Sequence, residues 1–180
     1  MVGAVKSILN RTKPLRSPKA VGVSPAAQGV ANQVQSSVGT PQPNIGTVTT
    51  PYGGVTRYEA YHPGIDIGAP MGTPINAFMG GKVIQETSGQ KQGNKGFGNS
   101  VVLIDENGNR HRYSHLTQEY VKVGDYVPMG GRLGTIGNTG STYSESGGTG
   151  SHLDYRVMDA WNKYINPNRF LKMTNKLAFK

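Results

Sequence analysis

From about residue 73 onward, hydrophobic and polar residues alternate with a period of two in short runs separated by glycine-rich turns. That period belongs to half-buried strands. Residues 73–77 and 81–86 form two such runs, with Met79-Gly80-Gly81 as the turn between them. Residues 99–105, containing Val101-Val102-Leu103-Ile104, predict a buried strand, and the Asn107-Gly108 step that follows is a strong hairpin signal. The return strand over 110–116 places His111, Tyr113 and His115 on one face. Residues 121–131 read as a compact turn between short β pieces, and residues 132–137 as a further strand. In the last strand, Ser151-His152-Leu153-Asp154-Tyr155-Arg156-Val157, alternation sends His152 and Asp154 to one surface and Leu153, Tyr155 and Val157 to a core. Residues 164–171 close the pattern with one helical turn after Pro167, and Trp161 is expected to pack or to anchor a loop. Upstream, residues 46–57 read as a turn-rich entry. Pro63-Gly64 predicts a turn that brings His62 and Asp66 to one point.

Composition sharpens this into an all-β reading. The 180 residues include 26 glycines and 11 prolines, which suits many turns between short strands, and the length suits one domain plus a tail. With no cysteine, neither a disulfide framework nor a thiolate-bound metal is available, so any metal falls to His, Asp or Glu. No apolar run approaches the ~20 residues that span a bilayer, and the first ten residues lack the apolar core and cleavage site of a secretory signal.

Charge divides the chain. The net charge is +9, and Lys6, Arg11, Lys13, Arg16, Lys19 and Arg57 all precede the first acidic residue, Glu59. Residues 1–45 therefore read as a basic arm or linker rich in Pro, Ser and Gln, with too little apolar content to offset the entropy of ordering. Such an arm attracts nucleic acid, an anionic membrane or an anionic wall polymer, or simply solubilises the chain. The absence of aromatic platforms among its basic residues argues against specific nucleic-acid binding. Val2, Ala4, Val5, Ile8 and Leu9 line one side of a short helix that would form by docking on a partner protein or a membrane surface.

The candidate chemistry lies in five motifs taken together. These are His62-Pro63-Gly64-Ile65-Asp66; Tyr113-Ser114-His115-Leu116; Val121-x-Val123-Gly124-Asp125; Gly137-Asn138-Thr139-Gly140; and Ser151-His152-Leu153-x-Tyr155-x-Val157. In this order and spacing they resemble the M23 family of zinc metallopeptidases, the lysostaphin-like or LytM-like cell wall endopeptidases, over residues 46–172. The resemblance implies a mostly antiparallel β fold with an open groove and cleavage of peptide cross-links or bridges in bacterial peptidoglycan. Carried over residue by residue, it makes His62 and Asp66 two Zn²⁺ ligands. Asp154 stands where the family has its third ligand, the second histidine of a His-x-His motif. His115 and His152 correspond to the catalytic pair.

Asp154 is a departure that zinc chemistry accommodates, since a carboxylate is an ordinary zinc ligand at ~2.0–2.2 Å. Two carboxylates would neutralise Zn²⁺ and weaken its pull on a bound water. An alternative reading follows from the same residue: an impaired module that grips cell wall or serves as a structural protein. The basic arm, the missing leader and the missing wall-binding domain together suggest a bacteriophage virion component. Its arm would bind other virion proteins and its domain would open the wall for genome entry. A lysis enzyme released through a membrane pore is the competing expectation. Residues 173–180 read as a C-terminal tail.

Overall fold

The computed structural model describes residues 45–144 and 146–171. The basic arm with its predicted short helix, and the C-terminal tail, lie outside the described residues. Eleven strands are found among those described: β1 (Thr47–Thr50), β2 (Gly64–Gly68), β3 (Pro74–Asn76), β4 (Gly81–Thr87), β5 (Ser100–Ile104), β6 (Arg110–Ser114), β7 (Leu116–Glu119), β8 (Tyr126–Val127), β9 (Arg132–Ile136), β10 (His152–Met158) and β11 (Tyr164–Ile165). They form two sheets. The larger has the order β1-β2-β10-β6-β5-β4-β8 with β11 also on β10, and the smaller the order β3-β9-β7. Every pairing is antiparallel.

The predicted alternation carries the core. Leu153, Tyr155 and Val157 of β10 are fully buried, as are Tyr113 of β6 and Leu103 of β5. They join Ile75, Leu116, Leu133 and Ile136 from the smaller sheet in one cluster, so each sheet buries its apolar face against the other. Phe78 packs edge-on against Tyr155 at 4.7 Å between ring centroids, and its backbone N–H donates to the Tyr113 hydroxyl at 2.8 Å. A buried phenol thereby keeps a partner.

The β5–β6 turn shows why Asp105-Glu106-Asn107-Gly108-Asn109 reverses the chain. Asp105 Oδ1 accepts from the backbone N–H of Asn107 (2.9 Å) and of Asn109 (2.8 Å), and Gly108 takes φ 78°. Asp105 Oδ2 also accepts from His111 Nε2 at 3.1 Å, while His111 Nδ1 meets the Tyr155 hydroxyl at 2.8 Å. His111 is a satisfied core histidine, and burial pushes its pKa down.

Four expectations change. The entry segment contains strand β1, which pairs with β2 along the edge of the large sheet. Pro63 forms a bend and Gly64 already opens β2, so no tight turn lies between His62 and Asp66. Trp161 is 79% exposed and packs on nothing in the core. His115 does not share a face with His111 and Tyr113: β6 ends at Ser114, and His115 takes φ 63°, which swings its side chain off the core side. The predicted helical turn after Pro167 is present at 168–171.

Candidate metal centre

The outer face of the large sheet carries the site. Register places Asp154 of β10 directly opposite Asp66 of β2, with Ser114 of β6 on its other side. Two carboxylates facing each other across a strand pair repel, so this arrangement calls for a cation between them. Gly64 leaves the room it needs. A Cβ there would lie 2.6 Å from Arg156 Cγ and 2.8 Å from Asp154 Oδ1.

His62, just before β2, completes the cluster. Its Nε2 lies 3.1 Å from Asp66 Oδ1 and 3.8 Å from Asp154 Oδ1, and one donor atom from each of the three residues falls within 4.8 Å of the others. Four ligand atoms held tetrahedrally at ~2.0–2.1 Å from zinc stand about 3.3 Å apart, a spacing these distances bracket. His62 Nε2 and Asp66 Oδ1 are also buried with no hydrogen-bond partner among the described residues. Unsatisfied ligand atoms that converge in this way fit a bound ion. The residues present therefore fit zinc.

A second ring of charge holds these groups. Glu59 Oε2 accepts from His62 Nδ1 at 2.9 Å, which turns the Nε2 lone pair toward the carboxylates. Arg156 donates from Nε to both oxygens of Asp154 (3.0 and 2.8 Å) and from Nη1 and Nη2 to Glu59 (2.8 and 3.0 Å). Glu59, Asp66 and Asp154 against one guanidinium leave two uncompensated negative charges, which a divalent cation cancels. Burial pushes Asp154 up to about 6 against the pull of Arg156. Burial acts the same way on Asp66, but His62 and His152 outweigh it and hold that carboxyl below its usual range. For His62, burial is outweighed by Asp66 and Asp154, and its pKa rises.

The two remaining histidines stand beside this cluster with ring centroids 4.7 Å apart. His115 Nδ1 donates to the Thr139 carbonyl at 2.7 Å and His152 Nδ1 to the Gly150 carbonyl at 2.8 Å. Each ring thus presents its Nε2 to the site, 4.0 Å from Asp154 Oδ2 for His115 and 3.8 Å from Asp66 Oδ1 for His152. Burial, and then the neighbouring His152, pull His115 down to about 4, so it is neutral near pH 7. The Gly137-Asn138-Thr139-Gly140 motif supports this ring: Thr139 Oγ1 donates to the Leu116 carbonyl at 2.9 Å and accepts from the Asn99 N–H at 2.9 Å.

All five candidate residues, His62, Asp66, His115, His152 and Asp154, line one groove of about 860 Å³. Arg57 stacks over the Tyr143 ring at 4.3 Å, tying the entry loop to the loop before β10. Glu59 and Arg156 were not singled out in the sequence. The signal for Arg156 was present, because alternation on β10 puts it on the same face as His152 and Asp154. For Glu59 the only signal is its spacing of three from His62.

Known proteins share the sequence and the fold over the same stretch. The profile of peptidase family M23 matches residues 60–167. Lysostaphin of Staphylococcus simulans is 39% identical over 98 residues, covering 54% of this chain and 18% of that protein. Peptidoglycan DD-endopeptidase ShyA of Vibrio cholerae is 36% identical over 104 residues, covering 58% of this chain and 22% of ShyA. The chain thus spans less than a quarter of the length of these relatives. In structure, the catalytic domain of S. simulans lysostaphin superposes with a TM-score of 0.60 at 30% identity, over 74% of this chain and 98% of that domain. A mutant catalytic domain of the prophage-encoded M23 protein EnpA from Enterococcus faecalis gives a TM-score of 0.55 at 29% identity, over 68% of this chain and 88% of that one. By the family profile and by the fold, the chain belongs to peptidase family M23.

Proposed function

We propose that this protein is a zinc-dependent endopeptidase acting on the peptide cross-links or bridges of bacterial peptidoglycan. The observation that carries the reading is the meeting of His62, Asp66 and Asp154 on the groove floor, with two imidazole Nε2 atoms beside them. Lysostaphin and ShyA, the latter a peptidoglycan DD-endopeptidase, support the substrate class.

When bound, zinc supplies polarisation of the scissile carbonyl and a lowered pKa for the attacking water. The chain's own groups do the rest. Glu59 and Arg156 hold His62 and Asp154 in place, and Thr139 and Gly150 fix the His115 and His152 tautomers. One of the two Nε2 atoms accepts the proton of the attacking water and returns it to the leaving amine. The other can serve the developing oxyanion only as an imidazolium, its Nε2 proton drawn from solvent. Purified sacculi test the reading. Release of new amino termini that stops with chelator, returns with added zinc and is lost in His115→Ala and His152→Ala is expected. Wall binding without any release would favour the competing reading, an impaired wall-binding or structural module; the observation behind it is that both oxygens of Asp154 are already engaged by Arg156.

The same proposal extends to the setting. The basic arm would bind other virion proteins and the peptidase domain would open the wall locally for phage genome entry. The composition of residues 1–45 and the prophage origin of EnpA support this. Mass spectrometry of purified particles is expected to find the chain; its absence there would sink the virion setting and leave the peptidase reading intact.

A further inference from the structure

Past Asp154 the outer face of the large sheet turns strongly basic. Alternation on β10 brings Arg156 and Met158 onto that face, and β6 sets Arg112 opposite Arg156 and Arg110 opposite Met158. The three arginines line a separate cavity of about 170 Å³ whose apolar wall is Ile84, Val102 and Met158, and no carboxylate lines it. Arg156 is already committed to Asp154 and Glu59, and Arg110 donates to the neutral Asn162. The Arg112 guanidinium makes no ion pair or hydrogen bond among the described residues; it stacks on the Phe97 ring at 4.5 Å and feels Asp154 only at a distance. It is half-buried all the same, and burial pushes its pKa below the usual guanidinium value.

Two cations directly opposite on neighbouring strands repel, and among the described residues the half-buried Arg112 guanidinium has no carboxylate bound to it, so its donors are left to solvent. An anion in the cavity relieves both. The guanidinium fork matches the planar, two-oxygen geometry of a carboxylate or a phosphate. The wall decides between them, since aliphatic side chains suit a methylene stem, and the small volume suits a short one. We propose that this cavity binds a carboxylate on a short aliphatic stem, held by Arg112 with Arg110. Such a group is carried by an acidic side chain or by an exposed peptide terminus. Arg156 lines both this cavity and the groove, and Arg112 lies two residues along β6 from Ser114, about 7 Å at strand spacing, so the site adjoins the metal centre. The proposal stands on the arginines and does not require metal or turnover.

The test is calorimetric titration of the full chain with glutarate and, separately, with inorganic phosphate. N-acetyl-glutamate α-amide and N-acetyl-alanine serve as further probes that separate a side-chain from a terminal carboxylate. Saturable glutarate binding is expected, weakened at least tenfold in Arg112→Gln, partly restored in Arg112→Lys and reduced by salt. Zinc content and thermal midpoint should be unchanged in both variants, which separates a lost anion site from lost folding and from a failed metal reading. Glutarate binding that is absent, or equal in parent and Arg112→Gln, would overturn the proposal, as would tighter binding of phosphate.

Discussion

On the resemblance, Asp154 stands where the family has a histidine ligand, and its neighbour Arg156 offsets the charge this adds. A carboxylate placed opposite Asp66 adds negative charge that an imidazole would not, and the guanidinium two residues on answers it. Arg156→Gln should therefore leave the fold intact but lower zinc affinity about 10–100-fold, as loss of groups that orient metal ligands does. Competition with a chromophoric chelator reads this directly, and unchanged affinity would contradict it. Two buried groups also set opposite pH slopes in the metal-free protein. His115 sits at about 4 in the fold, below its unfolded value, so its burial costs stability as pH falls toward 4. Asp154 sits at about 6, above its unfolded value, so its contribution is lost as pH rises through 6. Denaturation at several pH values should show His115→Gln with a shallower loss on the acid side, and Asp154→Asn more stable than the parent above pH 6. The pairing of His152 with Asp154 was legible because β10 is regular. The placement of His115 was not legible from alternation, because a single residue at φ 63° breaks it; only the family resemblance of Tyr113-Ser114-His115-Leu116 put that ring beside the metal.

At the scale of elements, the site depends on β2 and β10 lying close enough for the three donors to meet. Gly64 permits that approach. Gly64→Val should destabilise the domain by about 1–3 kcal/mol through overpacking against Arg156 and the β10 backbone, measured by urea unfolding. Wild-type stability in that variant would mean that the strands do not pack as described. The β5–β6 hairpin offers an independent check. Asp105→Ala removes acceptors for Asn107, Asn109 and His111 together, and should cost about 1–3 kcal/mol, more than removal of an exposed turn acceptor. This hairpin was readable from Asn107-Gly108, whose backbone preference is local. Strand β1 was hidden, because Thr47–Thr50 gains its strand character from pairing with β2, a partner about twenty residues away in the chain.

For the whole molecule, the division into two sheets around one core was not legible: β3 and β4 are adjacent in sequence and similar in pattern, yet belong to different sheets. What local patterns do specify is which face of each strand is apolar. That was enough to place Leu153, Tyr155 and Val157 inside and the chemistry outside. The resulting molecule puts a cluster of net negative charge on the floor of a groove with two imidazoles at its side. On this reading His62, Asp66 and Asp154 hold one zinc ion. Elemental analysis of the purified full chain, supplied with zinc at neutral pH and dialysed, tests this most directly. About one zinc per chain, lost in both Asp66→Ala and Asp154→Ala while the fold persists by circular dichroism, is the result expected; a parent protein that retains no zinc would contradict it.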